Sequence, residues 1–144
     1  MQPAQEASDP AGYDAVVIGS ASYYFHWMKP AASFVRHHAR TLADRPVWLF
    51  SSGPLGTKEA DDQGRDLRAF LEPKEIAEFR SMVNLRDHHV FFGAMDSARL
   101  GFTHRLIYRS PASRDGALFP QGDFRNWPEI DAWANGIADS LKCS

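Results

Sequence analysis

Two short stretches carry residue types that bring a backbone close to a flat ligand. The first is Ser20-Ala21-Ser22-Tyr23-Tyr24, followed by Phe25 and Trp27. The second is Ser52-Gly53-Pro54-Leu55-Gly56, preceded by Ser51. Small residues let a ligand edge or a neighbouring backbone approach, and aromatic rings can cover the face of a planar ligand. Ordinary packing at strand ends uses the same residues, with rings covering the edge of a sheet. The pattern alone leaves both readings open.

Other chemistries find less support. His37-His38 and His88-His89 are sequence neighbours, and neighbours on a helix or strand point in different directions, so neither pair chelates one ion. No cysteine or carboxylate completes a tetrahedral set at a familiar spacing, and no metal site is expected. His38 reads as a histidine at the edge of the core and the other histidines as solvated. A serine nucleophile needs a strained turn and a positioned base. Ser52-Gly53 lacks the G-x-S-x-G pattern, and no helix begins directly after Ser20. No side chain stands out as a general acid or base, so no catalytic residue is expected. Asp61, Asp62 and Asp66 fall in a polar, mixed-charge stretch and read as solvated surface. Cys143, the single cysteine, excludes an internal disulfide and reads as an incidental tail thiol.

The elements that must position the two stretches follow from hydrophobic patterning. Ala15-Val16-Val17-Ile18 and Val47-Trp48-Leu49-Phe50 are continuous apolar runs, as expected of strands buried on both faces of a parallel sheet. Between them, Ala31, Phe34, Val35, His38 and Leu42 keep one face of a helix, with Pro30 in its first turn. Strand, helix and strand make a βαβ unit, which sets the two small-residue stretches side by side at one edge of the sheet. Residues 57–71 read as a polar surface insertion. A short helix runs from Lys74 to about Met82, with Ile76 and Phe79 inward. Asp87-His88-His89 leads into a third strand, Val90–Met95. Residues 100–108 read as a short amphipathic piece, and 110–123 as loop. Asn126 and Glu129 have capping-box spacing before a final helix. Ile130, Trp133, Ala134, Ile137 and Leu141 form its apolar stripe.

Length and charge bound the rest. The chain has 144 residues and a formal charge of −2, enough for one domain and without the basic footprint of a nucleic-acid binder. No run approaches the roughly 18 apolar residues of a membrane span. Residues 1–12 lack the basic and apolar regions of a secretory signal and read as an irregular lead to a domain over 13–144. A cytoplasmic location is expected.

The blocks YDAVVIGSA, HWMKPA, RPVWLFSSGPLG, HHVFFGAMD and GDFRNWPEIDAWANGIA resemble flavodoxin-like domains. More narrowly, they resemble flavodoxin-domain proteins related to menaquinone-dependent protoporphyrinogen oxidase. The likeness spans about residues 13–142. It implies a three-layer α/β/α fold with parallel strands, of which this chain carries three of the usual five, ordered 2-1-3-4-5 in the family. It implies FMN, with the ring between Ser20, Ala21, Ser22, Tyr23 and Tyr24 on one side and Ser52, Gly53, Pro54, Leu55 and Gly56 on the other. A small-molecule or protein redox partner, such as a quinone, goes with that function. In the family the FMN phosphate is held by a loop after the first strand, and residues 1–12 have no counterpart of it. Phe25 stands where relatives commonly have glycine. The alternative is a flavodoxin-like interaction module without FMN, associating as a homo-oligomer or with another chain through an exposed strand at 13–20.

Overall fold

A computed structural model describes residues 2–4, 6–7, 9–23, 25–53, 72–95 and 122–142. The main sheet has four strands in the order β2-β1-β3-β4. They are β1 (Val16–Tyr23), β2 (His26–Trp27), β3 (Val47–Ser52) and β4 (Leu85–Phe91). β1, β3 and β4 are parallel, and β2 folds back antiparallel on the end of β1. A second, two-stranded sheet pairs β5 (Ala94–Met95) with β6 (Gly122–Asp123). The three parallel strands with helices on both faces form the expected partial flavodoxin-like architecture.

Helix α1 (Lys29–His37) carries Pro30 in its first turn, as the sequence indicates. It does not run unbroken to Leu42: His38 leaves helical geometry, and α2 (Ala39–Ala43) continues from there. Ala31, Ala32, Val35 and Leu42 are buried beneath these helices. Helix α3 (Glu75–Met82) adds Ile76 and Phe79 to the same core. Alternation along the strands supplies the other wall, with Ile18 from β1 and Val47 and Leu49 from β3. Arg36 grips Glu78 through two hydrogen bonds, at 2.8 and 2.7 Å, and so ties α1 to α3. Arg45 donates to the carbonyls of Ala11, Tyr13 and Thr41, which fastens the lead to the end of α2.

The opposite face of the sheet meets α4 (Trp127–Lys142). Asn126 accepts the Glu129 amide at 3.3 Å, which is the capping half of the expected box. Trp133 packs edge-on against Phe50 and Phe91, and its indole N–H donates to Asp87 at 2.6 Å. Ile137 is buried as expected, whereas Ala134 and Leu141 are exposed. This helix meets the sheet over β3 and β4. Val17 of β1, on the same face, is left 49% exposed.

Strand boundaries differ from the apolar runs: β3 runs on to Ser52, and the expected strand Val90–Met95 is divided, with β4 ending at Phe91 and Ala94–Met95 pairing separately as β5. β1 continues through Gly19-Ser20-Ala21-Ser22 to Tyr23, because Ser22 and Tyr23 pair with Trp27 and His26. β4 begins at Leu85 and takes in Asp87, His88 and His89. Their polarity hid them from periodicity, and in the fold each has a partner: Trp133 for Asp87, Ser51 and Glu72 for His88, Glu129 for His89. The expectation that these two histidines are solvated is therefore corrected. The side chain of His88 is 1% exposed. The expectations for residues 57–71, 100–108 and 110–121, and for Cys143, lie outside the described residues, while Gly122 and Asp123, expected as loop, form β6.

Candidate functional site

The carboxyl edge of the sheet brings the two small-residue stretches together. Ser20 stands beside Ser51 and Ala21 beside Ser52 in the β1–β3 register. Gly53 follows, so close to β1 that a Cβ on it would lie 2.9 Å from Ser22 Cβ and 3.0 Å from the Ser22 carbonyl oxygen. Only glycine permits that approach. Gly93 extends the row from the end of β4, where an added Cβ would meet Ser52 Oγ at 3.4 Å and Gly53 N at 3.5 Å. Ser22, Ser52, Gly53 and Gly93 thus form a line of small residues across three strand ends. Gly93 was missed by sequence reasoning because it sits inside an apolar run; a glycine interrupting a strand pattern is the signal that marks it.

The expected residues divide as follows. Ser20, Ala21, Ser22 and Tyr23 lie on β1, Ser52 ends β3, and Gly53 is adjacent to Ser22. Tyr24, Pro54, Leu55 and Gly56 lie outside the described residues. Ser20 is buried and its hydroxyl is committed internally, accepting from Met28 N at 3.0 Å and donating to Ala21 O at 2.9 Å. The Gly53 amide donates to Phe91 O at 3.2 Å, so it extends the β3–β4 ladder instead of pointing at a ligand. No hydrogen bond among the described residues engages the Ser22 and Ser52 hydroxyls. Those two hydroxyls, on strand ends that the bare Gly53 backbone lets close together, suit the edge of a flat ring laid across them.

The β1–β2 hairpin is held from below. Glu75 accepts from Trp27 N at 3.2 Å and pairs with His26 Nδ1 at 2.9 Å. Burial pushes the Glu75 carboxyl up, but the hydrogen bonds from His26 and from backbone amides outweigh it and hold it below the ordinary carboxylate value. Between Tyr23 and His26 the turn holds Phe25 at φ +64°, the left-handed region that favours glycine. Lys74 N donates to the Phe25 carbonyl at 3.0 Å, which fixes the turn against the start of α3.

Beneath the hairpin runs a chain of polar groups that the sequence did not announce. Trp27 Nε1 donates to Ser51 Oγ at 2.7 Å. Ser51 Oγ meets His88 Nε2 at 2.8 Å, His88 Nδ1 meets Glu72 Oε1 at 3.0 Å, and Arg80 donates to that same oxygen at 2.7 Å. Serine, histidine and glutamate here stand in nucleophile–base–orienter order. The Ser51 residue is 1% exposed and its oxygen takes the indole N–H, so no substrate carbonyl can reach it. Strand parity is the signal that could have found the set: His88 shares its face with Val90 and lies level with Leu49.

An open parallel α/β sheet with flanking helices and small residues across its carboxyl edge places the chain in the doubly wound α/β class. A family model described as a flavodoxin domain matches residues 1–117, and the chain belongs to that family of FMN-linked redox and electron-transfer domains. No curated protein and no solved structure matches the chain significantly. Among the described residues no helix is long and apolar enough to cross a membrane.

Proposed function

We propose that the chain binds FMN across the ends of β1, β3 and β4 and acts as a redox or electron-transfer domain. The observation that carries this reading is the close approach of Gly53 to Ser22, which joins the two stretches into one surface with no side chain standing between them. FMN, when bound, supplies the electron-accepting ring. The protein's part is to orient that ring: Ser22 and Ser52 offer hydroxyls to its edge, and the family resemblance implies that Tyr23 flanks its face. The resemblance to the menaquinone-dependent protoporphyrinogen oxidase group supports a quinone or a porphyrinogen as redox partner. A cytoplasmic setting goes with the same reading.

A fluorescence titration tests it. FMN emission is quenched saturably by the chain at concentrations on the order of tens of micromolar, and less well by Gly53→Ala. Unquenched emission throughout that range defeats the reading.

One observation favours a second reading. Among the described residues, β1 from Val16 to Ala21 pairs only with β3, and Val17 is half exposed. Such an edge can accept a strand from a second copy or another protein. Association that persists without flavin and disappears in Val17→Pro supports this role, since proline cannot donate to a ladder. A monomer by light scattering at every concentration excludes a second copy.

A further inference from the structure

The Trp27–Ser51–His88–Glu72 chain links four parts of the fold that share no local sequence, His88 coming from β4. Trp27 belongs to the hairpin that closes β1, Ser51 to the end of β3, and Glu72 to the segment entering α3. Donor and acceptor accounting fixes its state. An indole nitrogen only donates, so Ser51 Oγ must accept from Trp27. The Ser51 hydroxyl is buried, and the acceptor it meets is His88 Nε2 at 2.8 Å. An ionised Glu72 only accepts, so His88 Nδ1 must carry the hydrogen. The neutral Nδ1–H form of His88 therefore satisfies every group in the chain. A proton added at Nε2 turns that nitrogen into a second donor aimed at Ser51 Oγ, and the buried Ser51 hydroxyl loses its acceptor.

We propose that this chain is a latch that holds the β1–β2 hairpin in register with the end of β3, and that His88 is its positioning residue, engaged when neutral and released when protonated. The latch rests on the flavin reading only for its consequence: Ser51 directly precedes Ser52 and Gly53, and Trp27 closes the hairpin that carries Ser22 and Tyr23. Released, it lets the two halves of the proposed ring site separate.

The charged groups around His88 come from each packed element. Glu72 and Arg80 face it from the segment entering α3 and from α3 itself, and Asp87 from its own strand. Burial, the largest influence, disfavours the charged imidazole, and Arg80 adds to it. Glu72 and Asp87 oppose it, and the balance lies below the ordinary histidine value of 6.5. His26 pairs with Glu75 at 2.9 Å on the same hairpin, so His26→Ala is the control that separates that pair from His88.

The test uses the full chain labelled with nitrogen-15. Above its titration midpoint His88 shows the Nδ1–H neutral form. The Trp27 indole resonance, assigned by its loss in Trp27→Phe, moves with the His88 midpoint and still does so in His26→Ala. FMN quenching weakens by up to about tenfold for each pH unit below that midpoint. His88→Gln, whose amide oxygen still accepts from Ser51, keeps the indole resonance in place and removes the pH dependence from both readouts. A His88 found in the Nε2–H form, or an indole resonance that stays still through the His88 titration, overturns the latch whether or not flavin binds. Failure of the wild-type chain to quench FMN at any pH overturns the flavin reading alone, and the imidazole and indole signals still decide the latch.

Discussion

Gly53 presses against Ser22 so closely that an added methyl group would come within 2.9 Å of the Ser22 Cβ. The listener on the other side of that contact is backbone as well as side chain, since the Ser22 carbonyl is 3.0 Å away, so relief requires the strand ends to part. Gly53→Ala is expected to cost about 1–3 kcal/mol, the range for an overpacked site. Urea unfolding measures that cost. A variant as stable as wild type shows that the two strand ends are not in contact in solution.

The ring of Phe50 lies over Gly19, filling the space that a side chain at position 19 would need. Phe50 also packs edge-on with Phe91 and Trp133. Gly19→Ala must push the ring into that cluster, again at about 1–3 kcal/mol. Phe50→Leu should absorb most of the cost in the double variant, with a coupling of about 0.5–3 kcal/mol in a double-mutant cycle. Additive costs would show that the ring does not cover Gly19.

Phe25 holds φ +64° and is 39% exposed. A bulky residue in the left-handed region costs roughly 1–2 kcal/mol, which glycine avoids. Phe25→Gly is expected to raise the urea midpoint, and the smaller turn should not weaken FMN quenching. A lower midpoint would mean that the ring's packing outweighs the backbone strain.

Stability should fall in two stages as pH drops. The folded His88 sits below its ordinary value of 6.5, so below that pH the unfolded chain binds the extra proton and stability declines down to the folded midpoint. The folded Glu75 also sits below its ordinary value of 4.5, so the stability it contributes above that pH is lost as pH falls through its folded midpoint. Urea midpoints across the acid range read both stages. His88→Gln should remove the first and leave the second, and an unchanged first stage would assign it to another group.

The sequence by itself determined the parallel α/β class, because continuous apolar strands and a helix of period 3.6 admit few other solutions. Val47 to Phe50, Pro30 in the first turn of α1, the buried Ile76 and Phe79, and the Asn126 cap all follow from local pattern. It also placed Ser20 and Ser51 at neighbouring strand ends, since a βαβ unit leaves little freedom there. Only the tertiary structure decided where β1 and β4 end, because Ser22, Tyr23, His88 and His89 lack the apolar periodicity that marks a strand. Their place depends on partners that periodicity does not mark: Trp27 and His26 across the hairpin turn, and Ser51, Glu72 and Glu129 far along the chain for the histidines. A buried polar group is stable only when such a partner is present. Pairing between residues 16 to 40 positions apart leaves no periodic trace in the sequence, so the latch beneath the proposed flavin site became visible only with the fold.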